Sequence, residues 1–281
     1  MRYIEFKEIE CAVSELCITA AYDLPADVLA SMKKYRKEES SERAKMFLDQ
    51  CLQNAAIAAD ERLPLCQDTG VAVYFVELGE DVKIRGGTIY DAINSGTARG
   101  YHESYLRKSI VDDPLFGRKN TGDNTPAVIH LEIVSGEQLK ITLAPKGGGS
   151  ENMSQIKMLT PQAGRAGVID FVVKSIIEAG GNPCPPVIVG IGIGGSFEKA
   201  AYLAKKALLR EVGSINPDPN YAELENEILK RVNATQVGPQ GLGGDTTALA
   251  VHIEHFPCHI ASLPTAVNLN CHAARHATVT L

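Results

Sequence analysis

The chain has 281 residues, 44% of them hydrophobic and 22% charged, with a formal net charge of −6. That balance suits a globular protein with room for one large domain or two smaller ones. Its densest basic run, Lys33, Lys34, Arg36 and Lys37, is neutralised at once by Glu38 and Glu39, and no apolar stretch approaches the roughly 18 residues of a membrane span; nucleic acid and membrane are excluded as main partners.

The start, MRYIEFKEIE, is charged where a signal peptide is apolar, so the chain is read as cytoplasmic. Seven scattered cysteines, an odd number, argue against a disulfide framework there and for buried thiols and metal ligands. The first third predicts helices. Ile9, Val13, Leu16, Cys17 and Ala20 recur at helical spacing until Asp23-Leu24-Pro25 interrupts them. Asp27 is placed to cap a second, highly charged helix reaching about Glu39. A third helix carries Ala44, Phe47, Leu48, Cys51, Leu52, Ala55, Ala56 and Ala59 on one face. Cys17 and Cys51 lie on these apolar stripes and read as inert buried thiols; Cys11 carries no motif.

LPLCQDTG (63–70) then forms a polar turn before the β-rich VAVYFV (71–76), and a helical segment is expected around 90–110. A loop, GRKNTGDNTP (117–126), follows. Residues 127–134 and 139–143 alternate with period two around Ser135-Gly136-Glu137, which predicts a hairpin. After PKGGGSEN (145–152) come a helix over 161–179, a short β run at 186–189, the glycine-rich 190–195 and a helix from Ser196 to about Val212. Asp218-Pro219 opens a further helix with Leu224, Ile228, Leu229 and Val232 on its buried face. The tail, 238–281, is glycine-rich and β-like. The expected fold is α+β, with helices interleaved with antiparallel or mixed sheet and a mainly helical N-terminal part. No repeat, linker or sharp boundary divides residues 1–281, which are taken as one domain.

Several motifs invite chemistry. Gly190-x-Gly192-x-x-Gly195 follows a β run and opens a helix, as a dinucleotide fingerprint would, but no second strand ending in Asp or Glu stands about 20 residues on. Glycines that pack a helix onto a sheet, or that receive an anion on backbone N–H groups, explain it equally. GPQGLGGDTT (238–247) has the glycines of a phosphate loop, yet Asp245 stands where that loop needs Lys. His252, His255, His259, His272 and His276, with Cys258 and Cys271 nearby, lack the spacing of a zinc motif. Cys66, Cys184 and Cys271 differ from the other thiols: each lies in a polar, turn-rich stretch. Three unrelated loop cysteines would give the same pattern.

Six blocks in order, LPLCQDTG, GDNTPAVIH, PKGGGSENMS, NPCPPVIVGIGIGGS, GPQGLGGDTTALAV and NLNCHAARHA, resemble the N-terminal region of class I fumarases and the α subunit of L-tartrate dehydratase. They run from about Cys66 to His276; the first sixty or so residues hold no diagnostic block. The resemblance implies a [4Fe–4S] cluster on Cys66, Cys184 and Cys271, with the fourth iron open as a Lewis acid. It also implies that Gln67 and Asp68 contact substrate, with Asp68 holding a proton or steering the leaving water. Arg107 is the candidate clamp for a substrate carboxylate, its alternative being a solvated helix arginine. Gly147, Gly148 and Gly149 would bring N–H groups to a carboxylate, or simply make a tight turn. Single-chain relatives continue into a second domain where this chain stops at Leu281. A separate β subunit is therefore expected to supply the catalytic base within an α2β2 assembly built on an α–α dimer, the isolated chain being nearly inactive. The expected reaction is reversible hydration of fumarate to (S)-malate, with tartrate dehydration the nearest rival. An iron–sulfur sensor and a NAD-binding oxidoreductase are the rivals from other classes.

Overall fold

Two separately packed cores emerge in the computed structural model, which describes residues 1–281. In chain order the first elements are β1 (Arg2–Glu5), α1 (Phe6–Tyr22), α2 (Ala26–Glu38), α3 (Glu42–Glu61), β2 (Val71–Gly79) and β3 (Val82–Arg85). Then follow α4 (Ile89–Glu103), β4 (Val128–Val134), β5 (Leu139–Lys146), the single turn α5 (Gly148–Glu151), β6 (Gln155–Leu159) and α6 (Gly164–Ala179). The last are β7 (Val187–Gly194), α7 (Phe197–Ala207), α8 (Pro219–Asn233), β8 (Ala248–Phe256), β9 (Leu263–Asn270) and β10 (Ala277–Thr280). The fold is α+β with a mainly helical start, as expected. One unit comprises Met1–Leu24, Ala55–Gly148 and Arg275–Leu281; the other comprises Pro25–Asn54 and Gly149–Ala274.

The first unit is built around β2, whose residues 72–76 are all buried. Its sheet runs β10-β5-β2-β4, with β4 parallel and β5 antiparallel to β2. The predicted hairpin of β4 with β5 is therefore not formed: β2 lies between them. A strand buried on both faces would leave costly unbonded N–H and C=O groups at an open edge, and β2 takes a partner on each side. The connection over 135–138 crosses the end of β2, where Gly79 N–H donates to the Gln138 carbonyl at 2.8 Å and Asp81 N–H to that of Gly136 at 3.0 Å. Helices α1 and α4 cover the sheet with Ile9, Val13, Leu16 and Ile93 over Tyr74, Val76 and Leu143.

The second unit has a sheet ordered β6-β9-β7-β8. Val189, Ile191 and Ile193 of β7 face Val168, Val172 and Ile176 of α6 and Ile228 and Val232 of α8. Its opposite face carries Gly190 and Gly192, which lie inside the strand and admit α7. A Cβ at Gly192 would lie 2.0 Å from the Ala200 carbonyl oxygen, and one at Gly190 would lie 2.1 Å from that of Ala204. The glycine motif is thus a packing surface between helix and strand. α8 begins as expected, with Asp218 accepting from Asn220 N–H at 2.8 Å and Pro219 at the first helical position. Asp27 does not cap α2, whose N-cap is Pro25; its carboxylate instead accepts from the Val212 amide at 2.7 Å. No helix is long and apolar enough to cross a membrane.

Candidate functional site

The predicted site residues fall in both units: Cys66, Gln67, Asp68, Arg107, Gly147 and Gly148 in the first, Gly149, Cys184 and Cys271 in the second.

In the first unit the turn 65–69 joins α3 to β2, and backbone bonds fix both its ends. Leu65 N–H donates to the Ala21 carbonyl at 2.9 Å. At the other end Gly70 adopts φ +81°, and a Cβ there would meet the Lys146 backbone at 2.8 Å, so only glycine lets the turn enter β2. The buried Tyr101 hydroxyl serves the Thr69 and Gly70 carbonyls at 2.9 and 3.2 Å. Buried Asn124 donates to the Gly70 carbonyl at 3.1 Å and accepts from Ser109 N–H at 2.7 Å. Thr69 Oγ1 donates to the Arg107 carbonyl at 2.6 Å. These bonds bring Arg107 and the Cys66 turn together. Arg107 lies in the loop beyond α4, exposed, not on a helix as its alternative reading had it.

Asp68 is held by backbone donors on both carboxylate oxygens. Oδ1 accepts from Gly70 N–H at 3.1 Å and Oδ2 from Gly148 N–H at 2.8 Å. Gly147 stands alongside, where a Cβ would lie 3.4 Å from Oδ2. The carboxylate that Gly148 receives is therefore Asp68's own. Arg275, buried, donates from Nη2 to the Asp68 main-chain carbonyl, while its Nε and Nη1 have no acceptor.

In the second unit Cys184 and Cys271 are brought together. Cys184 is exposed, at left-handed φ 54°, in the turn before β7; Cys271 directly follows β9. His272 N–H donates to the Cys184 carbonyl at 3.2 Å, and its Nδ1 lies 3.0 Å from the same oxygen. Gln240 fastens the arrangement from beneath. Its backbone N–H and its Nε2 both donate to the Pro185 carbonyl, at 2.7 and 3.0 Å, and Nε2 also approaches His272 Nδ1 at 3.2 Å and Cys51 Sγ at 3.9 Å. Burial first, then the nearby Cys184 and Cys271, push the Cys51 thiol up to about 11. Cys51 is buried, as its stripe predicted, but it also faces two of the three candidate ligands.

The loop that carries Gln240 is anchored by Glu39. This buried carboxylate accepts from the amides of Ser41, Asp245 and Thr246 and from Thr246 Oγ1, at 2.7–3.1 Å. Asp245 itself accepts from the Ser40 amide at 3.1 Å. The segment that resembles a phosphate loop is thus a scaffold for the cysteine turns. Of the other histidines, His252 is buried in β8 and His255 stacks on Tyr221 with ring centroids 4.2 Å apart. Sequence reasoning passed over Tyr101, Asn124, Gln240 and Arg275, although each except Tyr101 lies in one of the six blocks.

The sequence profile of the family Fumarate hydratase (Fumerase) matches residues 10–280. The chain belongs to this family. It is 42% identical over 275 residues to a Methanocaldococcus jannaschii protein provisionally named L(+)-tartrate dehydratase subunit alpha, covering 96% of each. It is 34% identical over 261 residues to the L(+)-tartrate dehydratase subunit alpha of Escherichia coli K12, and equally to that of Shigella boydii, covering 91% of this chain and 85% of each relative. Hydration and dehydration are two directions of one reaction, so these names describe hydro-lyases.

The donor chemistry suits an iron–sulfur cluster: thiols are the soft ligands that iron–sulfur centres take. All seven cysteines are free of disulfides. No three His, Cys, Asp or Glu side chains converge on a single ion, but a [4Fe–4S] cube takes each thiolate on a separate iron and needs no such convergence. The Arg275 donors without an acceptor leave positive charge beside the Cys66 turn for an anionic group to meet.

Proposed function

We propose that this chain is the α subunit of an iron–sulfur hydro-lyase that interconverts fumarate and (S)-malate. In this reading Cys66, Cys184 and Cys271 ligate a [4Fe–4S] cluster, and a β subunit completes the active site within an α2β2 assembly built on an α–α dimer. The observation that carries it is the bonding of the Cys184 and Cys271 turns to each other through His272 and Gln240. Soft thiol donors on turns held by hydrogen bonds are what a cluster site needs. The printed names of the relatives support both the reaction class and the subunit role.

When bound, the cluster supplies Lewis acidity toward the substrate hydroxyl and one carboxylate. The chain's own residues hold the rest of the substrate and move its proton. Arg107 presents an exposed guanidinium suited to bidentate capture of a carboxylate. Gln67, exposed and next to a ligand, offers an amide donor and acceptor to the same dianion. Asp68 is held rigid by Gly70 and Gly148 and takes the catalytic role of steering the leaving water or carrying its proton. Gly147, Gly148 and Gly149 line the substrate region, the first two through their contact with Asp68. The base at the adjacent carbon is assigned to the β subunit.

A second reading, L(+)-tartrate as substrate, is favoured by the relatives' names and uses the same chemistry on a dianion with one more hydroxyl. Anaerobic co-expression with the β subunit, followed by turnover of malate and of L(+)-tartrate, decides between them. Iron and sulfide analysis of the chain alone tests the ligands. About four irons are expected, reduced in Cys66→Ser, Cys184→Ser and Cys271→Ser but not in Cys258→Ser, whose thiol is exposed and bonds only the Ser262 carbonyl. A chain that takes up no cluster overturns the reading. A chain that takes up cluster but never turns over with its partner is a sensor.

A further inference from the structure

Arg275 is 4% exposed, and of its nitrogens only Nη2 finds an acceptor, the Asp68 main-chain carbonyl. Nε and Nη1 are buried and unpartnered. The neighbouring acceptors in the first unit are bonded elsewhere. The Asp68 carboxylate gives its oxygens to Gly70 and Gly148, and the Tyr101 hydroxyl is spent on the Thr69 and Gly70 carbonyls. A guanidinium stays protonated inside a protein. Burying it with two nitrogens unbonded is costly, and an acceptor that reaches them relieves that cost.

The chain indicates which acceptor. The carbonyl that Arg275 grips lies two residues after Cys66, and Arg275 itself follows Cys271 by four. A substrate must enter and leave through solvent, whereas Nε and Nη1 are closed off from solvent. A group that stays resident in the folded protein is the better match. We propose that Arg275 is a positioning residue for the cluster: Nη2 holds the Cys66-Gln67-Asp68 turn in its ligating form, and the N–H groups of Nε and Nη1 donate to sulfur acceptors on the Cys66 side. This inference rests on the cluster reading above. It gives Arg275 a task different from that of Arg107, which faces solvent.

The test is anaerobic reconstitution of the full-length chain and of Arg275→Lys and Arg275→Gln with iron and sulfide. Thermal midpoints of the apo and loaded forms, the electron paramagnetic resonance signal of the reduced cluster, and the rate of iron loss to a chelator are read. Wild type should gain stability on loading. Arg275→Gln should gain much less and lose iron about ten-fold faster or more, as outer-shell partners of metal sites typically do. Arg275→Lys, which keeps the charge but not the fork, should fall between them. Equal losses of stability in apo and loaded forms would make Arg275 a packing residue and overturn the proposal. So would a Gln variant that holds its cluster as wild type does. A normal cluster whose signal no longer responds to malate would assign the unused donors to substrate, again against the proposal. Failure of wild type itself to load iron is a separate result, and it removes the cluster reading together with this one.

Discussion

Glu39 anchors the loop that carries Gln240 in the second unit, and its replacement gives a sharp test. The carboxylate is 3% exposed and accepts four hydrogen bonds, three of them from main-chain amides. Bonds to a charged acceptor contribute roughly 1.5–3 kcal/mol each, but water entering the vacated space and local relaxation return much of that. Glu39→Ala is therefore expected to cost about 3–5 kcal/mol, near the upper end for single substitutions. For a chain of this size that corresponds to roughly 10 °C in the unfolding midpoint. Glu39→Gln keeps one acceptor oxygen but sets an NH2 against a backbone donor, and should cost about 2 kcal/mol. Urea unfolding followed by circular dichroism measures both. Hydrogen exchange should show the Asp245, Thr246 and His272 amides losing protection together, because Gln240 rides on the same loop. A Glu39→Ala chain within about 1 kcal/mol of wild type would refute the scaffold argument.

Acid stability should depend on His252. Burial, then the positive charge of Arg210, hold its imidazole down at about 4, whereas an unfolded histidine titrates near 6.5. The unfolded state then binds more protons between those values, so this contribution is fully present above about pH 6.5 and lost as pH falls through 4. The gap is worth roughly 3 kcal/mol, and His252→Asn should flatten the fall in stability over that window; an unchanged slope would refute it. Gly192→Ala should destabilise by about 3 kcal/mol or more, because its Cβ would lie 2.0 Å from the Ala200 carbonyl oxygen; a soluble variant with an unshifted melting curve would show that α7 can lift off freely. Arg107→Ala should lower kcat/KM of the assembled enzyme roughly 100-fold at unchanged melting temperature. Loss of stability without loss of activity would return Arg107 to an ordinary surface residue.

How much of this was legible in the sequence depends on the range of the forces involved. The start of α8 is set by Asp218 and Pro219 alone, and β2 by an apolar run that no local signal contradicts, so both could be read directly. The β4–β5 hairpin could not, because the competitor for β4 and β5 is β2, some fifty residues upstream of β4. The glycines of β7 look like a loop until α7 is placed against them. Glu39 reads as one more charge closing a basic helix, and two of the three amides that it accepts from lie some two hundred positions away. Three candidate ligands as far apart in sequence as Cys66, Cys184 and Cys271 carry no spacing rule, so resemblance nominated them. Gln240 and Arg275 were missed because their partners are backbone carbonyls, which a sequence does not distinguish.

The thiols show how the fold sorts one residue type into different chemical roles. Cys17 lies inside the first core against the Tyr74 hydroxyl at 3.4 Å, and burial pushes it up to about 12. Cys51 reaches about 11 although it stands beside two candidate ligands. A thiol held protonated is a poor nucleophile, since attack needs the thiolate. Cys184, by contrast, is exposed on a turn whose carbonyl is fixed by His272. Cys51 is set apart by its place on the apolar stripe of α3, whose burial makes its thiolate expensive.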